Sequence, residues 1–179
     1  TLESQTPVAD FDVLAFSVSF EWDYTNVVAM LRLAGLPVYA ADRGADHPLV
    51  VLGGAVTFLN PEPLAPLVDV VAVGEGEVLV PELVEAAGSG AERGAMLRRL
   101  AAATGFYVPS FYDVRYEAGG TIAGFVPRPG TGAPPSVRKA ALGASETVEP
   151  PATTIFTPDT ELGSRLLIEV VRGCANLCR

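Results

Sequence analysis

The sequence is poor in the residues that build metal and disulfide sites. Cys174 and Cys178 are its two cysteines and His47 its one histidine. A tetrahedral zinc site needs four ligands, and no histidine or further cysteine lies near the pair to complete one. Two thiols make no disulfide framework, and such sparse cysteine fits a reducing cytoplasm better than a secreted setting. Basic residues are also few: 12 Lys and Arg face 21 Asp and Glu, for a net charge of −9. Only Arg98-Arg99 and Arg138-Lys139 are adjacent, so the clustered cations that neutralise phosphates are missing and nucleic acid is not an expected partner. No apolar run approaches the roughly 20 residues that cross a bilayer. The opening Thr1-Leu-Glu-Ser-Gln5 has neither the charged nor the apolar region of a signal peptide. Phosphate loops of the G-x-x-x-x-G-K-S/T and G-x-G-x-x-G kinds are absent too, which argues against a nucleotide hydrolase.

What is present is apolar. Hydrophobic residues make up 49% of 179, enough for one full domain or one domain and part of another. Asp12–Phe20 is a near-continuous apolar run with β-branched and aromatic members, predicting a strand buried on both faces and therefore a parallel sheet. After it, Asp23 is placed to cap a helix in which Val27, Val28, Met30, Leu31 and Ala34 recur at helical spacing, and Gly35 ends it. Leu49–Leu52 and Val68–Val73 predict the second and third strands, and Val78–Ala87 and Ala91–Thr104 predict helices. Asp12 and Asp69, at strand starts, read as solvated. Strands alternating with helices make an open, doubly wound parallel sheet the expected fold over residues 1–105.

The texture then changes. Phe106–Tyr116 and Thr121–Val126 flank Glu117-Ala-Gly-Gly120, a hairpin pattern. Residues 127–164 are rich in proline, glycine, serine and threonine and read as a linker over a surface. Leu166–Val171 is a further apolar run, expected to be a buried strand, leading straight to Arg172-Gly173 and the two cysteines.

Ligands of open parallel sheets bind beyond the carboxyl ends of the strands. Ser17-Val-Ser-Phe-Glu21, Gly53-Gly-Ala-Val-Thr57 and Gly74-Glu-Gly-Glu77 occupy those positions. Glycine lets backbone approach a ligand, and Ser17, Ser19 and Thr57 add hydroxyls. Each loop also has a plain reading, Gly53-Gly54 as a tight turn and Gly74–Glu77 as an acidic helix start. Trp22 and Tyr24 could stack on a flat ligand or cover the helix beneath. His47, as Asp46-His-Pro48 before a strand, reads as a solvated loop residue.

The end of the chain, Ile168-Glu-Val-Val-Arg-Gly-Cys174-Ala-Asn-Leu-Cys178-Arg179, resembles the opening of the radical S-adenosylmethionine (SAM) enzymes, whose C-x3-C-x2-C signature follows the first strand of a TIM-type barrel. On spacing alone, two cysteines four apart are as well explained as a helical pair, buried thiols or a disulfide. The loops Ser17–Tyr24, Gly53–Glu62 and Val71–Glu77 are similar to the cobalamin-binding-type (B12-binding, Rossmann-like) domain that precedes the barrel in many of these enzymes.

The resemblance implies residues 1–105 as that domain without its first βα unit, 106–164 as hairpin and linker, and 165–179 as the start of a truncated barrel. It implies Ser17, Ser19, Gly53, Gly54, Thr57, Gly74 and Glu75 as cobalamin-binding residues, and Cys174 and Cys178 as ligands of a [4Fe–4S] cluster. SAM would chelate that cluster and be cleaved to a 5′-deoxyadenosyl radical. The parent enzyme would be cytoplasmic, with the barrel as partner and a substrate the sequence does not identify, while this fragment would be inactive and could dimerise through exposed sheet edges. One departure is plain: the cobalt-ligating D-x-H-x-x-G motif is absent. The other reading is a non-catalytic domain that keeps the fold as scaffold or interaction module and binds no cofactor.

Overall fold

Leu49-Val-Val-Leu52 is apolar at every position, and it becomes the strand with a layer packed on each side. The structure, a computed structural model, describes residues 1, 4–143, 152, 156–159, 161 and 163–168. In it β1 (Val13–Ser17), β2 (Leu49–Gly53) and β3 (Val70–Ala72) run parallel in that order. Register runs from Val13 opposite Leu49 to Ser17 opposite Gly53, then Val51 opposite Val70 and Leu52 opposite Val71. Val50 and Leu52 join one core with Val27 and Leu31 of α1 (Tyr24–Leu33) and with Val56 of α2 (Val56–Leu59). Leu49 and Val51 join the other, with Leu79 and Leu83 of α3 (Gly76–Gly88) and Leu100 of α4 (Arg93–Ala102). Alternate residues of one strand thus feed two cores, each buried side chain worth about 1.5–3 kcal/mol.

The α/β class and the parallel core match expectation, and two features differ. The strand order runs straight, β1-β2-β3-β4, with β4 (Phe106–Tyr107) antiparallel to β3. The chain moves from one face to the other after β3 without reversing the strand order, because α3 and α4 return it for an antiparallel pairing. Residues Phe106 and Tyr107 therefore complete the sheet, and the hairpin is confined to β5 (Tyr112–Tyr116) and β6 (Ile122–Pro127). Strand β1 is also shorter than the apolar run and lies at the sheet's edge; Phe16 and Val18 are buried while Ala15 and Ser17 are exposed.

Local signals account for the helix ends. Gly35, at φ 70°, closes α1 as the left-handed residue of a Schellman motif, with Gly35 N–H donating to Arg32 O and Leu36 N–H to Leu31 O. Asp23 sits at the N-cap but makes no bond to the helix backbone; its carboxylate accepts from the Asn26 side chain at 2.9 Å. Glu92 caps α4 by accepting from Gly94 N–H at 3.0 Å.

Asp69 is the clearest departure from expectation, for it is buried at 5% exposure. Its Oδ2 accepts from Val50 N–H at 2.8 Å and faces Arg43 Nε at 3.3 Å and Arg93 Nη2 at 2.8 Å. The carboxylate extends the β2–β3 ladder by one bond below the register. Arg43 is satisfied in turn by the carbonyls of Pro37, Val38 and Leu67. Burial lowers the Arg43 pKa and Asp69 opposes that shift.

The stretch read as a linker enters the core. Ala140 is buried against Leu79 and Gly105, and Ala140 N–H donates to Val73 O at 2.9 Å. The chain divides into Thr1–Leu142 and Gly143–Arg179. Within the second, Ile168 makes one antiparallel bridge to Ala152; of the expected buried strand Leu166–Val171, Leu166, Leu167 and Ile168 are exposed and residues 169–171 lie outside the described residues. Among the described residues no helix is long and apolar enough to cross a membrane.

Candidate functional site

The carboxyl edge of the parallel strands brings together Ser17, Ser19, Gly53, Gly54 and Thr57. Ser17 pairs with Gly53 across β1 and β2, Val18 N–H donates to Gly53 O and Val56 N–H to Val18 O. Gly54 has φ 88°, and a Cβ there would lie 2.5 Å from Val18 O. The close approach that requires glycine is therefore to the chain's own backbone. The Thr57 hydroxyl is turned inward and donates to Gly54 O at 2.8 Å. Ser17 and Ser19 are exposed.

The loop after β3 closes on a different partner. Gly74, at φ 142°, pairs with Ala140, and a Cβ on it would be 2.7 Å from Ala140 N and closer still to its carbonyl oxygen. Glu75 N–H donates to Ala140 O, and the Glu75 carboxylate accepts from Leu142 N–H at 2.8 Å. Gly74 and Glu75 thus clamp residues 140–142 over the end of the third strand.

These contacts bear on cobalamin. At both glycines the approach that would admit a ligand's tail is taken by backbone. The chain's one histidine lies elsewhere: His47 Nδ1 accepts from Gly44 N–H at 3.0 Å, and its carbonyl accepts from Arg93, before β2 instead of after a strand. The residues present do not fit a histidine-ligated corrin. Of the two aromatics considered for stacking, Tyr24 packs on the core and donates its hydroxyl to Asn60 O, while Trp22 is 91% exposed and covers nothing.

Cys174 and Cys178 lie outside the described residues. Among the described residues no group of three or more His, Cys, Asp or Glu is placed to hold a metal. This chain supplies two thiolates, and an iron–sulfur cluster takes three or four, so the donors fit part of a ligand set.

A concavity that the sequence reading does not name lies away from the carboxyl edge. A cleft of about 780 Å³ opens between the Tyr39–Asp42 turn, Glu62 and the hairpin, and four of the chain's five tyrosines line it: Tyr39, Tyr107, Tyr112 and Tyr116. The Tyr107 and Tyr112 rings are 5.1 Å apart and tilted by 59°, a favourable aromatic geometry. The Tyr112 hydroxyl donates to Pro134 O at 2.7 Å, and Tyr107 and Glu62 line the cleft together. Burial raises the Glu62 pKa, with Tyr107 opposing it, and burial together with Glu62 raises that of Tyr107. The signal was the tyrosine distribution, hidden because Tyr107, Tyr112 and Tyr116 also satisfy a strand pattern.

Residues 1–109 match the family model described as radical SAM proteins, N-terminal. No curated protein and no solved structure matches the chain. The matched stretch takes in β1 to β4, the glycine loops and all the buried core residues of the two clusters but Ala140, well over half of the sequence. The chain therefore belongs to the radical SAM proteins and carries their N-terminal part.

Proposed function

We propose that this chain is the N-terminal part of a radical SAM iron–sulfur enzyme, and that its α/β domain is a scaffold for the catalytic part instead of a cobalamin pocket. Family membership supports the first statement. The observation that carries the second is the pair of glycine contacts, Gly54 on Val18 and Gly74 on Ala140, which give those glycines a structural use. Cys174 and Cys178 would hold two irons of the [4Fe–4S] cluster. That cluster, with SAM on its open iron, supplies the reductive cleavage that yields a 5′-deoxyadenosyl radical. The substrate and the class of reaction belong to the whole enzyme.

Two measurements separate the parts of this proposal. The full-length protein, reconstituted with iron and sulfide, should be brown and bleach in oxygen, and should release 5′-deoxyadenosine from SAM under strong reductant. Cys174→Ala or Cys178→Ala should abolish both; a variant that keeps colour and product would remove these cysteines from the cluster. Cobalamin added to the same protein should leave its visible spectrum and Tm unchanged. A saturable spectral change would replace the scaffold reading with the cobalamin-binding one and leave the cluster assignment untouched.

A further inference from the structure

We infer that the tyrosine cleft is a binding site for a small organic ammonium ion. Its volume of about 780 Å³ lies in the range of small-molecule sites, roughly 300–1,000 Å³. Aromatic rings present negative faces, and four tyrosines with Phe125 line one cleft. Among the described residues its charged lining is Asp42 and Glu62, with no Lys, Arg or His. Arg43, next to Asp42 in sequence, turns its guanidinium away into the core and onto Asp69.

Charge complementarity selects the ligand. An anion would meet two carboxylates and the ring faces. A neutral apolar molecule would desolvate Glu62 further, and that carboxylate already has a raised pKa from burial. An alkylated ammonium satisfies both demands, since its alkyl groups cover the exposed Tyr39, Tyr116 and Ile122 while its charge faces Glu62. This inference is independent of the cobalamin question, because none of the carboxyl-edge residues lines the cleft.

Choline and its uncharged carbon isostere are the probes, titrated into this chain while the tyrosine ring signals are followed by NMR. Choline should shift those signals saturably and bind about tenfold more tightly than the isostere, the weight of one desolvated cation–π or charge contact. Glu62→Gln should weaken choline by about tenfold. Tyr39→Ala, at a site exposed enough to spare the fold, should weaken it by roughly threefold to fivefold. An isostere that binds as well as choline, no saturable shift with choline, or unchanged affinity in both variants would overturn the inference. Tighter binding of a lysine peptide than of choline would also overturn it, in favour of a protein partner.

Discussion

At the carboxyl edge of the sheet, glycines bring backbone against backbone; in the tyrosine cleft, large side chains surround space that no part of Thr1–Leu142 fills. Both places attract ligand hypotheses, the first by topology and the second by shape. The difference is in how polar groups are satisfied. Along the edge Gly53, Gly54, Gly74 and Glu75 are engaged by Val18, Thr57, Ala140 and Leu142. The Glu62 carboxylate faces open space in the cleft and carries a burial penalty. A loop that follows a parallel strand is thus not a site by position alone, since its donors and close approaches can be consumed by the fold.

The same contrast appears between two acids on the β2–β3 connection: among the described residues Asp69 has two arginines and Glu62 has none. Removing each carboxylate should therefore have opposite consequences. The largest expected effect is from Asp69→Ala, which leaves the fully buried Arg43 side chain and most of Arg93 without their anion. Breaking such a pair from one side costs about 3–5 kcal/mol. Urea unfolding of this chain should show it as a lower midpoint; a loss below about 1 kcal/mol would mean the arginine–carbonyl bonds suffice without Asp69.

Next in size is Gly74→Ala. The new methyl collides with the Ala140 backbone at a φ of 142°, and strain plus displacement should cost about 3 kcal/mol. Hydrogen exchange at the Ala140 amide, which donates to Val73 O, should accelerate in the variant. If Gly74 faced a ligand instead, the amide would keep its protection and the cost would fall to backbone strain of roughly 1 kcal/mol.

How far the sequence could be read follows from the same physics. Leu49–Leu52 announced a central strand because both of its faces are buried. Gly35 announced a helix end because only its left-handed conformation closes the Schellman turn. Asp69 was misread as solvated, since the arginines that neutralise it are 26 and 24 residues away in sequence and a carboxylate within an apolar run carries no local mark of its partners. Phe106 and Tyr107 were assigned to the hairpin because β-formers pair equally well with either neighbour until α3 and α4 fix where the chain returns. The carboxyl-edge loops were placed at the right end of the strands, yet the use of Gly74 depended on Ala140, 66 residues later in a segment whose composition suggests a linker. The tyrosine cleft needed the hairpin and the Tyr39 turn to meet, a contact far apart in sequence.

The smallest expected effect is the one that distinguishes the two regions most sharply. Burial raises the folded-state pKa of Glu62 above its unfolded value, so between those two values the folded chain binds more protons than the unfolded one. Stability then falls as pH rises from the ordinary glutamate range through the raised value, because the ionised carboxylate is worse off folded than unfolded. Glu62→Gln removes that penalty at nearly constant side-chain size. At neutral pH the variant should be more stable by up to about 0.5 kcal/mol, or about 1–2 °C in Tm for a chain of this size. At a pH below the ordinary glutamate range, where the wild-type side chain is protonated in both states, the gain should vanish. A variant less stable at neutral pH would mean that Glu62, like Asp69, is a structural acid whose charge the fold uses. The open cleft would then be as self-satisfied as the carboxyl edge.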